Sequence, residues 1–204
     1  MKQRGFTLIE LMVSIVVLIV LTSLAVPAFQ DYIEKARLRG AADQVTDLLA
    51  RARATAVKNN LPVAVNAASG AGGWCVGARM APAPATDLAE PRSDTAAACA
   101  CDSAPSTCMV DGSRLVLESG SLTQSKSSTM TLPSTGLPFS YTPRLGGIST
   151  NGASSSFLAA AAARTIGLTS PKGRYSLSVI VTPLGQSYVC VPAGKPPFLG
   201  YRQC

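Results

Sequence analysis

From Phe6 to Phe29 the chain runs for 24 residues with a single charge, Glu10. As an α-helix this run is roughly 35 Å long, enough to cross the apolar core of a bilayer. A plain anchor has no use for the acid. On insertion scales an acid at a helix centre costs roughly 2.5 to 3.5 kcal/mol, so Glu10 calls for a partner. The run is preceded by Gly5 and the basic stretch Lys2-Gln3-Arg4, whose charges hold that end in the cytoplasm. A secretory signal has the reverse order, a short apolar core followed by a small-residue cleavage site. Here cleavage after Gly5 would leave Phe6 as a new N-terminus and keep the apolar stem.

From Gln30 to about Asn60 the pattern changes. Leu38, Ala41, Ala42, Val45, Leu48, Leu49, Ala52 and Ala56 recur every three to four residues, with charges on the other faces. This predicts an amphipathic helix continuous with the stem, about 55 residues and roughly 80 Å in all. Pro27, inside the run, removes one backbone donor and is expected to kink it. Asn59-Asn60 and Pro62 end it.

The remainder reads as short strands near Val63–Ala67, Trp74–Arg79, Arg114–Glu118, Met130–Leu132, Phe139–Thr142, Arg164–Thr169, Tyr175–Thr182 and Ser187–Val191. In Tyr175–Thr182, Leu177, Val179 and Val181 alternate with Ser176, Ser178 and Ile180. Ala81 to Ser106 is rich in Ala, Pro and charge and is expected to be a surface loop. The alanine run from Ala159 to Ala163 fits a helix or a strand edge. The predicted class is α+β, a long N-terminal helix packed on an antiparallel β-sheet domain. The divisions are 1–5, a leader; 6–29, a transmembrane and assembly helix; 30–60, an amphipathic stalk; and 61–204, a β-rich domain with disulfides.

All six cysteines, at 75, 99, 101, 108, 190 and 204, lie beyond the apolar run. An even number in a domain exported past a membrane points to disulfides. Cys190 and Cys204 stand apart and are expected to staple the closing segment. Among Cys99, Cys101 and Cys108, one can reach Cys75 while the other two pair, and spacing does not choose. Zinc is disfavoured by the C-x-C-x6-C spacing and by an oxidising compartment, so no metal or cofactor is expected. The chain has no histidine, which removes the commonest general base. It also lacks Gly-x-Ser-x-Gly and a phosphate-binding glycine loop, so it is not expected to be an enzyme.

The segment Gly5-Phe6-Thr7-Leu8-Ile9-Glu10-Leu11-Met12-Val13, behind a basic leader, resembles the class III signal of type IV pilins and type II secretion pseudopilins. The resemblance implies a type IV pilin fold. It also implies cleavage by a prepilin peptidase between Gly5 and Phe6, N-methylation of Phe6, and an assembly role for Glu10. Pilins carry a proline where Pro27 stands. "GGWCVGAR" and "GRYSLSVIVTPLGQSYVC" look like the early tryptophan strand and the late strand pair of the FimT/FimU/GspH branch of minor pilins and pseudopilins. The match is close over the stem, looser near the end and absent in the middle.

Three readings compete within this resemblance. The first is a minor pilin that helps to initiate a type IV pilus at or near its tip. The second is a GspH-like pseudopilin of type II secretion. The third is a minor pilin that binds DNA for natural transformation. Implied partners are other minor and major pilins or pseudopilins, the prepilin peptidase and an inner-membrane assembly platform. The implied location is the bacterial inner membrane, single-pass with the domain in the periplasm, and then the fibre at the cell surface. From Ser121 onward there are seven Lys/Arg and no acid, a balance that suits an anionic partner. Lys172, Arg174, Lys195 and Arg202 are the candidates for DNA contact, with Tyr188, Phe198 and Tyr201 as stacking residues. The Gly-Arg-x-Arg motif of DNA-binding relatives is replaced by Gly185-Gln186-Ser187-Tyr188, so DNA is not favoured. The Ala/Pro/Cys loop and the several disulfides lean towards a pilus, because a fibre tip outside the cell benefits from staples.

Overall fold

A computed structural model of the chain describes residues 7–70, 73–81, 98–102, 106–119, 137–143, 145–149, 163–198 and 200–204. Gly5, Phe6, the side chain of Pro27, the expected strand Met130–Leu132, nearly all of the alanine run and most of Ala81–Ser106 lie outside it.

Helix α1 spans Leu8–Asn59, 52 residues. Its end is set by backbone chemistry. Asn60 takes a left-handed φ of 52°, the conformation that lets a chain leave a helix. The Leu61 N–H then donates to the Ala56 carbonyl at 3.2 Å and the Asn60 N–H to Val57 at 3.4 Å. Two carbonyls of the last turn are thereby satisfied, and Pro62 prevents resumption.

The chain forms two units that divide between Ala36 and Arg37. In the first, every described side chain from Thr7 to Ser23 is exposed, including Leu8, Ile9, Leu11, Ile15, Leu18 and Leu21. A helix that is apolar all round and exposed has no core of its own to bury in and needs lipid or other helices. Among the described residues no helix is long and apolar enough to cross a membrane. Within the apolar part of α1 the longest unbroken stretch of described side chains is Leu8 to Ser23, 16 residues or roughly 24 Å, shorter than the apolar run of the sequence.

In the second unit the periodic face of α1 is the core. Leu38, Ala41, Ala42, Val45, Leu48, Leu49, Ala52 and Ala56 are all buried. They share one cluster with strand residues Val63, Val65, Phe139, Tyr141, Ile166, Leu168, Leu177 and Val179. The small residues Ala41, Ala42, Ala52 and Ala56 let the strand side chains approach the helix closely. The strands are β1 (Val63–Gly70), β2 (Gly73–Met80), β3 (Met109–Val110), β4 (Ser113–Arg114), β5 (Val116–Glu118), β6 (Phe139–Tyr141), β7 (Ile148–Ser149), β8 (Arg164–Thr169), β9 (Ser176–Val181) and β10 (Ser187–Cys190). They form a five-stranded sheet β5-β2-β1-β6-β7, a three-stranded sheet β10-β9-β8 and the pair β3-β4. Every named pairing is antiparallel. The architecture is α+β, a long N-terminal helix packed on antiparallel sheet, as the pilin resemblance implies.

Two local expectations are corrected. The strand over Arg114–Glu118 is broken at Leu115, whose N–H donates to the Cys108 carbonyl and whose carbonyl accepts from Ala78. The Ala81–Ser106 stretch is not wholly surface: Cys99 and Cys101 are buried. In β9 both members of the alternation are covered: Ser176 and Ser178 are buried along with Leu177, Val179 and Val181. Ser178 stands opposite Cys190, so its side chain shares a face with that cysteine and its disulfide.

The disulfides are Cys75–Cys101, Cys99–Cys108 and Cys190–Cys204. The first two form one buried cluster beside Gly77, where a Cβ would strike the Cys108 sulfur. The third holds segment 191–204, in which Val191 makes a parallel bridge to Gln203.

Candidate functional site

Two places carry chemistry. The first is the head of α1. Glu10 accepts hydrogen bonds at Oε2 from the Thr7 N–H and the Thr7 hydroxyl, both 3.0 Å, and its own N–H donates to Thr7 Oγ1 at 3.3 Å. This is a reciprocal capping box, Thr-x-x-Glu, which satisfies backbone donors that the first turn leaves open. The carboxylate is thereby held at Thr7, the residue that follows Phe6 in the sequence. Sequence reasoning gave Glu10 a task between subunits and missed its task within its own helix, although the Thr-x-x-Glu spacing signals it.

The second place is an open groove of about 1080 Å³ on the second unit, lined by Arg53, Val57, Lys58, Leu145, Tyr188 and Arg202 among others. Its geometry depends on Arg53. Arg53 Nε donates to the Gly146 carbonyl at 3.0 Å, and Nη2 to the carbonyls of Leu184 at 3.1 Å and Leu145 at 3.5 Å. One guanidinium thus ties together the turns before β7 and before β10. Those turns also meet through the backbone: the Ile148 N–H donates to the Pro183 carbonyl at 3.0 Å. Beneath them Tyr141 is fully buried, and its hydroxyl has no hydrogen-bond partner among the described residues. Burial pushes the Tyr141 phenol well above its ordinary range, opposed in part by the Arg53 cation. Nothing in the sequence distinguished Arg53 from the other charges of the stalk.

Gly185 closes this arrangement. Its φ is +77°, and a Cβ there would run into the Gly146 carbonyl that Arg53 holds. Gly173, with φ +70°, has open space around it and is the natural control. A Gly173→Ala change is expected to cost only the left-handed strain, roughly 1–2 kcal/mol. Gly185→Ala adds displacement of the carbonyl and loss of charge-assisted bonds, about 1.5–3 kcal/mol more. Denaturant unfolding of the two variants, in detergent, checks the ordering; equal losses would contradict it.

The DNA-contact candidates fall in two places. Lys195 Nζ donates to the Gly173 carbonyl at 3.5 Å, which brings it to the β8–β9 turn that carries Lys172 and Arg174. Arg202 instead lines the groove, 5.5 Å from the Tyr188 ring centre. Two of the three expected stacking aromatics are committed elsewhere. Phe198 is buried, with its ring 5.6 Å from Tyr201 and 6.2 Å from Tyr175. Tyr201 accepts from Arg39 Nε at 3.2 Å.

The family model described as Type II transport protein GspH matches residues 41–185. The model described as Prokaryotic N-terminal methylation motif matches residues 1–26. The chain is similar to Prepilin peptidase-dependent protein D of Escherichia coli (strain K12), 57% identical over 37 residues, 18% of this chain and 25% of that protein. It is similar to Fimbrial protein of Moraxella nonliquefaciens, 53% identical over 36 residues, 18% and 23% of the two chains. It is also similar to the Type IV major alpha-pilin of Moraxella bovis, 54% identical over 35 residues, 17% and 22%. The match spans about a quarter of the length of these relatives. No solved structure matches the chain.

Proposed function

Since the chain belongs to the GspH family of type II transport proteins and carries an N-terminal methylation motif, we propose that it is a minor type IV pilin at or near the pilus tip that helps to start assembly. A prepilin peptidase cuts it after Gly5 and methylates Phe6. It waits in the bacterial inner membrane as a single-pass protein with its domain in the periplasm, and then enters the fibre. The observation that carries this reading is the exposed apolar stretch from Leu8 to Leu21, headed by Glu10. In the fibre, burial against neighbouring stems replaces burial in lipid, so the transfer costs little hydrophobic energy. Glu10 meets the Phe6 ammonium of a neighbouring subunit and sets the vertical register, and Pro27 bends the stem. The partners are other pilins, the peptidase and the assembly platform. The chain is a substrate of one enzyme and not itself a catalyst.

A second reading, a pseudopilin of type II secretion, is favoured by the description of the matching family. Gold labelling of a tagged chain separates the two. Label at pilus tips, with few pili after deletion of the gene, is the expected result. Unlabelled pili in normal number, together with lost protein secretion, would transfer the chain to the secretion system. DNA capture is disfavoured because Phe198 and Tyr201 pack internally and the candidate cations are divided.

A further inference from the structure

The groove beside Arg53 joins two properties that neither unit needs for its own stability. Among the described residues, two of its cations, Arg53 and Arg202, lack counter-charges. Arg53 spends its three hydrogen bonds on carbonyls, and neither it nor Arg202 has an ion-pair partner among the described residues. Among the described residues Lys58 pairs with Asp111 alone, at the long distance of 3.9 Å. Among these cations the groove is lined by apolar side chains in water, Leu145 at 65% exposed and Val57 exposed too, and Leu184, 64% exposed, stands on the adjoining turn whose carbonyl Arg53 holds. The rigid turns leave them no route inward. Gly185 and Gly146 lie in backbone contact there, and Arg53 holds both turns.

We propose that this groove is a docking site for an acidic segment of another protein, one that offers carboxylates around an apolar side chain. The carboxylates meet Arg202 and Lys58, and the apolar residue lies on Val57 and Leu145, with Leu184 on the adjoining turn. Charge complementarity selects an anionic partner. The exposed leucines select among anions, because a phosphodiester backbone gains nothing from them, whereas an apolar anchor removes them from water. The half-exposed Tyr188, with Arg202 beside its ring, adds an aromatic wall. The inference deepens the reading of the chain as an assembly subunit but does not draw on leader cleavage or on position in a fibre. A chain that enters pili yet fails the test below refutes only the groove.

The test is fluorescence anisotropy on the full chain in detergent, with labelled Glu-Glu-Leu-Ile-Glu-Glu as the probe. Lys-Lys-Leu-Ile-Lys-Lys, an all-Glu peptide and a short single-stranded oligonucleotide serve as comparisons. Saturable binding of the first peptide is expected, stronger than that of the other three. The double variants Lys58→Glu/Arg202→Glu and Leu145→Ser/Leu184→Ser should each weaken it by about tenfold or more, the loss of one good contact. All four positions are exposed, so circular dichroism should match the parent. Binding that survives both variants, tighter binding of the all-Glu peptide or the oligonucleotide, or no binding of the first peptide would each overturn the proposal.

Discussion

A Gly5→Leu chain should stay at precursor length in the membrane fraction, with no species that begins at a methylated Phe6. The proposed cut falls where a basic leader meets an apolar run, a junction that the proposed single-pass topology sets at the membrane surface. Gly5 is the only residue of that junction without a side chain. A leucine there adds a branched group at the scissile bond and extends the apolar run towards the leader, which draws the bond into lipid. An uncut leader also keeps Lys2 and Arg4 attached to the stem. Neither charge has a place between packed apolar helices, so the variant should be missing from fibres as well. Intact mass of the purified chain reads the result directly. Mature-length protein from Gly5→Leu would remove the basis for the processing step. Gly5→Ala, the smallest enlargement, should slow cleavage and leave some mature chain.

The second large effect belongs to Glu10. Glu10→Ala should be inserted and cleaved normally but be absent from sheared fibres. The capping box complicates a simple interpretation, because alanine removes the cap as well as the charge. A lost cap typically costs about 1 kcal/mol of helix stability. The Glu10→Gln variant separates the two contributions. Glutamine can still accept from Thr7, as capping boxes with Gln do, but it cannot pair with an ammonium. If charge sets the register, Glu10→Gln should fail in assembly as fully as Glu10→Ala. Recovery of incorporation in Glu10→Gln would assign Glu10 to its own helix and end the register argument.

The buried face of α1 was legible because its eight apolar positions keep the helical period from Leu38 to Ala56, and a pattern that long admits no other register. Strands β1, β2, β8 and β9 were legible from length and β-branched content. The two-residue strands β3 and β7 were not, since no period can be expressed in two residues. The break at Leu115 was hidden because it follows from contacts with Ala78 and Cys108, not from any local breaker. Burial of Cys99 and Cys101 depends on bridges whose pairing no spacing encodes. Arg53 is the extreme case: its acceptors lie 93 and 131 residues away along the chain, and all are backbone atoms, which carry no sequence signature.

The three-stranded sheet ends on β10, and an open strand edge is a template for pairing with any other extended chain. Here the chain folds back on Val191, just beyond the end of β10. The Val191 N–H donates to the Arg202 carbonyl, the Cys204 N–H donates to the Val191 carbonyl, and the Cys190–Cys204 bridge locks the return. For a subunit made to polymerise, this matters more than the stability it adds. A protein with one sticky helix and one sticky sheet edge could grow in two directions, and only one of them leads to an ordered fibre. By closing the end of β10 with its own chain, the molecule removes one place where cross-strand pairing could compete with packing of its stem.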